Sequence, residues 1–194
     1  MPSRKAEVSR KTRETEISIV LDFDLAAESV VRTGLPFFDH LLSAMSFHGG
    51  FHLNLTGQGD LEVDPHHLME DTGLVLGQAL AEILGTSGPI ARFGYAAIPM
   101  DEALAEVVLD VCGRPTLAWK AEFPQPRAGL FDLSLLKEFF TALAGRAGMS
   151  LHACVRYAEN GHHAAEALFK ALGKATSMAY SPSGRQMSTK GRIG

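Results

Sequence analysis

The chain has 194 residues, 46% hydrophobic and 21% charged, with a formal net charge of −4. That is the balance of an ordinary soluble globular protein, and it gives no general pull toward nucleic acid or anionic membrane. Two isolated cysteines, Cys112 and Cys154, exclude a disulfide framework and a cysteine-based metal knuckle, and they fit a reducing compartment. The polar opening "MPSRKAEVSRKTRETEIS" has no apolar core of a secretory signal, and no apolar run approaches a membrane span. The expectation is a cytoplasmic protein without nucleic-acid or membrane partners.

In chain order, "TEISIVLDF" alternates, with Ile17, Ile19, Leu21 and Phe23 on one face, which predicts a half-buried strand. "GLPFFDHLLSAMSFHG" reads as a helix: Pro36 suits its first turn and Gly49 with Gly50 stops it. "FHLNLTGQG" alternates again. Asp64 and Pro65 then predict a helix start, a cap followed by proline at the first position, for a helix running to Gly85. The second half replays this order. "EALAEVVLDVCG" and "PTLAWKAEF" read as strands, and "DLSLLKEFFTALAGRAG" as a helix capped by Asp132. "MSLHACVRYA" is a strand, after which Asn160 caps "GHHAAEALFKALGKATSMA". This order predicts an α+β domain made by duplication of a split βαβ-like unit, with repeats at about residues 1–90 and 91–180. The polar tail 181–194 is free to reach a ligand.

The duplication frames the chemistry. "DPHHLMEDTG" and "NGHHAAEALF" place two adjacent histidines before a glutamate twice, with His66 and His162 lying 96 residues apart. On a helix His66 and Glu70 stand four apart on one face and can grip one cation, whereas His67 points about 100° away and suits a different ion. His162, His163 and Glu166 repeat the arrangement. Imidazole with carboxylate suits a divalent ion of the manganese, iron or zinc kind, and two motifs with divergent histidines suggest two metals. His40 precedes the first motif by 26 residues and Glu138 precedes the second by 24, so each is a plausible fourth ligand. His48, one helix end later, is a ligand, an acid/base group or a cap. Arg92 and Arg114 sit near strand or turn ends where an arginine fork binds phosphate, and Ser188, Thr189 and Lys190 could complete such a site.

Two other readings compete. "SIVLDFDL" has the apolar-strand-then-Asp-x-Asp start of a haloacid-dehalogenase-type phosphatase, with Asp22 as nucleophile and Asp24 as acid, but it leaves the doubled histidine motif unused. A dinuclear metallohydrolase would use the same ligands to activate water.

With "RKTRETEI", "GLPFFDHLLSAMSFHGGF", "GDLEVDPHHLMEDTGLVLGQAL", "PMDEAL", "GRP", "NGHHAAEALFKALGKA" and "STKG" in order, the chain resembles the imidazoleglycerol-phosphate dehydratases over essentially its whole length. The resemblance implies helices packed between small four-stranded sheets, in the manner of ribosomal protein S5 domain 2. It implies elimination of water from imidazoleglycerol phosphate to give imidazole-acetol phosphate, in histidine biosynthesis. It also implies two manganese ions per site and a homo-oligomer of about 24 subunits with sites between chains. The implied metal ligands are His40, His66, His67, Glu70, His162, His163 and Glu166. Glu138 stands where the family commonly has histidine, and a carboxylate can still ligate manganese. Glu14 resembles the family's substrate-side carboxylate, with His48 as second acid/base group and Glu166 beside the reacting centre. Substrate contacts are implied for Glu14, His40, His48, Arg92, Arg114, Lys170, Ser188, Thr189 and Lys190.

Overall fold

In the computed structural model, which describes residues 3–185 and Met187, each half contributes a four-stranded sheet and two long helices. The first half runs β1 (Lys5–Lys11), β2 (Thr15–Asp22), β3 (Val30–Arg32), α1 (Pro36–Gly49), β4 (His52–Gly59) and α2 (His66–Thr86). The second runs β5 (Phe93–Met100), β6 (Ala103–Val111), β7 (Thr116–Lys120), the short hairpin β8 (Arg127–Ala128) and β9 (Phe131–Asp132), α3 (Leu135–Ala147), β10 (Met149–Tyr157) and α4 (Gly161–Ala179). The sheet orders are β1-β2-β4-β3 and β5-β6-β10-β7, one topology used twice. In each sheet the last strand runs parallel to its neighbour and the other pairings are antiparallel.

The alternation of β2 buries Ile17, Ile19 and Leu21, and Ile19 and Leu21 face Leu55 and Leu53 of β4. In the second sheet Val107 and Leu109 face Ala153 and Leu151 in the same way. Three strands left little trace in the sequence. Only Ala6 and Val8 of β1 are buried, β3 has three residues, and β5 is interrupted by Gly94 and Pro99.

Two helix starts sit slightly beyond the expected caps. Pro65 occupies the cap position of α2, and Asp64 instead accepts the His66 N–H at 2.6 Å. Asp132 accepts the Ser134 N–H at 2.9 Å and so shapes the turn before α3 rather than capping it. Asn160 caps α4 as its sequence position predicts, accepting the N–H groups of His162 and His163.

The helices fill the space between the sheets and pair across the halves: α1 with α4, and α2 with α3. Glycine permits both contacts. A Cβ on Gly173 of α4 would lie 2.0 Å from the Met45 carbonyl of α1, and one on Gly77 of α2 would lie 2.8 Å from the Leu143 carbonyl of α3. Phe38, Phe139 and Phe169, from α1, α3 and α4, lock the centre with ring centroids 5.3–6.3 Å apart. Because the obstacle at Gly173 is backbone, Gly173→Ala should cost about 1–3 kcal/mol. Gly145 is an exposed α3 position with nothing near its Cβ, so Gly145→Ala should gain about 0.5–1 kcal/mol. Urea unfolding of both variants checks the pair; equal effects would refute the packing argument.

Candidate active site

The cross-half pairing decides which predicted ligands meet. His40 sits on α1, one turn into the helix, and α1 lies along α4 rather than along α2. Its Nε2 is therefore 2.9 Å from Glu166 Oε2, and His162 Nε2 is 3.3 Å from the same oxygen. The donor atoms of His40, His162 and Glu166 all lie within 4.8 Å of one another. Phe37 packs on the His162 ring, with centroids 4.9 Å apart, and limits its swing. The Lys170 ammonium, one turn further along α4, reaches Glu166 Oε1 at 2.8 Å. Two imidazoles and a buried carboxylate that already holds an ammonium form a donor set that fits a divalent transition ion.

His163 points elsewhere. Its ring stands 86° from that of His162, and the His66 and His67 rings stand 87° apart. His163 Nδ1 lies 2.9 Å from Glu102 Oε2, and its Nε2 lies 3.7 Å from Asp101 Oδ2. Asp101 takes φ 47°, a left-handed conformation that the tight β5–β6 turn requires and Asp tolerates. In the first motif His66 Nε2 is 3.9 Å from Glu70 Oε2, and His67 Nδ1 is 3.1 Å from Asp60. Both His67 and His163 are shifted toward the protonated form, in each case first by the hydrogen bond to the carboxylate.

Glu14 is carried on the β1–β2 turn, and its carboxylate lies 3.9 Å from His67 Nδ1. The turn is held from below. The Thr12 hydroxyl accepts the N–H groups of Glu14 and Thr15, and the Glu14 carbonyl accepts the Asp60 N–H. The Thr15 hydroxyl donates to buried Asp71, which also receives Arg10 Nε at 2.9 Å.

The remaining predicted residues scatter. Among the described residues the three-residue donor groups are His40, His162 and Glu166, and Asp101, Glu102 and His163; Glu138, His66, His67 and Glu70 belong to neither. Glu138 stands on α3, whose partner is α2. His48, in the last turn of α1, is pushed toward the neutral form first by burial and then by Lys170 and Lys174. The Arg92 fork is engaged by Asp110 at 2.6 and 3.0 Å, and its third nitrogen donates to the Met187 carbonyl. Arg114 follows β6, and its side chain makes a long contact to the Cys112 carbonyl at 3.5 Å. Ser188, Thr189 and Lys190 lie outside the described residues. An apolar cavity of about 710 Å³ lies at the N-terminal ends of α1, α2 and α3, lined by Phe37, Pro65, Leu130 and Leu135 among others.

Residues 33–176 match the imidazoleglycerol-phosphate dehydratase family. The chain belongs to that family. It is 48% identical to the imidazoleglycerol-phosphate dehydratase of Syntrophus aciditrophicus, covering 98% of this chain and 99% of that one. The dehydratase of Methanosarcina mazei is 50% identical, over 98% of this chain and all of the relative. The Pyrococcus furiosus enzyme, solved in complex with (S)-C348, superposes with a TM-score of 0.85 at 36% identity and covers 96% of this chain and 100% of its own. The shared fold accounts for the two sheets and the cross-paired helices.

Within this dehydratase-family chain, sequence reading overlooked Asp60 and Glu102, the carboxylates that hold His67 and His163. Their signal was positional: each is an acidic residue next to a strand end, Asp60 after β4 and Glu102 before β6. Burial opposes ionisation of Glu166, but hydrogen bonds and charge from Lys170 and His40 outweigh it and bring its pKa from 4.5 to about 2. A depressed folded-state value contributes stability that is present above the unfolded value and lost as pH falls through the folded one. Chelator-treated protein should therefore lose more stability between pH 4.5 and about 2 than Glu166→Gln does. Urea midpoints across that window decide; parallel curves would refute the coupling.

Proposed function

We propose that the chain eliminates water from D-erythro-imidazoleglycerol 3-phosphate to give imidazole-acetol phosphate in histidine biosynthesis, as a hydro-lyase carrying two manganese ions per site. The observation that carries this reading is the family match, with relatives covering nearly the whole chain, combined with the duplicated His-His-x-x-Glu, whose second copy is joined by His40.

His40, His162 and Glu166 would hold one ion, drawing on both halves of the chain. His66 and Glu70 of the first half and, across the α2–α3 pair, Glu138 of the second would form the counterpart set, and His67 and His163 offer further donors. Bound manganese supplies Lewis-acid charge beside the substrate imidazole and hydroxyl. Glu14 moves a proton at its carboxylate, in a turn that Thr12 and Asp60 fix beside His67. His48, held neutral, is the second acid/base group, and its α1 position puts it near Lys170. Arg114, Lys170 and the tail's Ser188, Thr189 and Lys190 bind the phosphate. Arg92 contributes to the same locus by anchoring Met187, the residue before Ser188.

Geometry supports a homo-oligomer with sites between subunits. Arg92 and Arg114 lie at the Val111 end of β6, since the Val111 N–H donates to the Arg92 carbonyl. Glu102 and His163 lie at the Ala103 end. The intervening strand spans about 27 Å, too far for one small substrate to bridge, which favours drawing Arg92 and Arg114 from a different copy than Glu102 and His163. The family resemblance implies an assembly of about 24 subunits. A cytoplasmic location completes the reading; among the described residues no helix is long and apolar enough to cross a membrane.

Turnover of imidazoleglycerol phosphate by chelator-stripped protein should appear only on adding manganese; phosphate release without ketone would favour a dinuclear metallohydrolase. Glu14→Gln should keep its manganese and lose about 10²–10⁴-fold in kcat. Wild-type turnover would remove Glu14 from the mechanism. Arg114→Ala should raise KM about tenfold or more with a smaller change in kcat, and an unchanged KM would overturn its phosphate role.

A further inference from the structure

Glu102 accepts two hydrogen bonds at once. Oε1 takes the backbone N–H of Asn160 at 2.8 Å, and Oε2 lies 2.9 Å from His163 Nδ1. An amide N–H can only donate, and an ionised carboxylate can only accept. The proton on a neutral His163 ring therefore belongs on Nδ1, and Nε2 keeps its lone pair. His67 meets the same condition, with Nδ1 at 3.1 and 3.2 Å from the two oxygens of Asp60.

The two halves reach this contact by different routes. Glu102 stands one residue before β6, as Glu14 stands one residue before β2, so Glu14 is the topological counterpart of Glu102. Yet Glu14 stays 3.9 Å from His67 Nδ1, and Asp60, at the end of β4, makes the close contact instead. A contact that survives while its supplier changes points to a requirement of the histidine rather than to inherited backbone geometry. It also leaves Glu14 free of the Nδ1 bond.

We propose that Asp60 and Glu102 are positioning residues that fix the Nδ1–H tautomer of His67 and His163 and so present each Nε2 to a metal ion. This rests on the metal-binding reading given above. A carboxylate behind a ligating imidazole holds its orientation and raises its basicity, and losing such a partner typically costs 10–100-fold in metal affinity.

Glu102→Gln separates tautomer control from mere tethering. Its side chain has one oxygen, which stays on the Asn160 N–H, so its NH₂ faces His163 Nδ1 and drives the ring proton to Nε2. Magic-angle-spinning NMR of chelator-treated protein carrying ¹⁵N-histidine reads the tautomers directly, and manganese titration followed by the electron paramagnetic resonance of the free ion reads affinity. Wild-type protein should show Nδ1–H at His67 and His163. Glu102→Gln should reverse His163 alone and weaken one class of manganese site 10–100-fold, with circular dichroism and sedimentation unchanged. Asp60→Ala, a second variant independent of the α4 cap, should mix the tautomers at His67 and weaken manganese similarly. Nε2–H in the wild type, or manganese affinity within twofold of wild type in both variants, would overturn the proposal. Failure of the wild type itself to take up manganese would instead overturn the metal reading, and this role with it.

Discussion

The backbone contact between helices of opposite halves governs what the histidine motifs can become. At Gly173 and Gly77 no side chain separates α4 from α1 or α2 from α3, so each helix carries its partner's residues within hydrogen-bond reach. Had α1 packed on α2, His40 would have faced the motif that follows it in sequence. It faces the later one instead, and its bond to Glu166 is a direct product of that crossing. The buried Phe38, Phe139 and Phe169 keep the crossing fixed, since their rings come from helices of both halves.

Much of this was legible from residue pattern. The alternation of Ile17, Ile19 and Leu21 gave away β2, and Pro36 and Asn160 marked helix starts because each performs a local task that any context would require. The His-Glu spacing of four placed His162 and Glu166 on one face for the same reason. What the pattern could not disclose depends on partners distant in sequence. β1 has only two buried apolar side chains and exists because β2 pairs with it. His40 and Glu166 are separated by 126 positions, and only the helix crossing joins them. Asp60 and Glu102 belong to no sequence motif, and only the helix N-termini laid beside them give them a role.

Charge at the site is balanced locally. Lys170 and His40 keep Glu166 ionised despite its burial, and Asp60 and Glu102 hold His67 and His163 from behind. Around each motif a fixed counter-charge faces a candidate ligand. Such pre-orientation reduces the reorganisation that ion binding would otherwise impose. The perpendicular rings of each adjacent histidine pair then divide the donors between two directions.

The crossing of α1 onto α4 also bears on how such a chain could have arisen. A single ancestral repeat would have possessed a histidine pair and a helix equivalent to α1, but by this geometry the two could not have met within it. Completion would have required two identical repeats exchanging helices about a two-fold axis. Fusion of their genes would have preserved that exchange while releasing the copies to diverge. The contrast between His40 on α1 and Glu138 on α3, and between Glu102 and Asp60 as the carboxylate at Nδ1, are the kinds of asymmetry that a fused pair can accumulate.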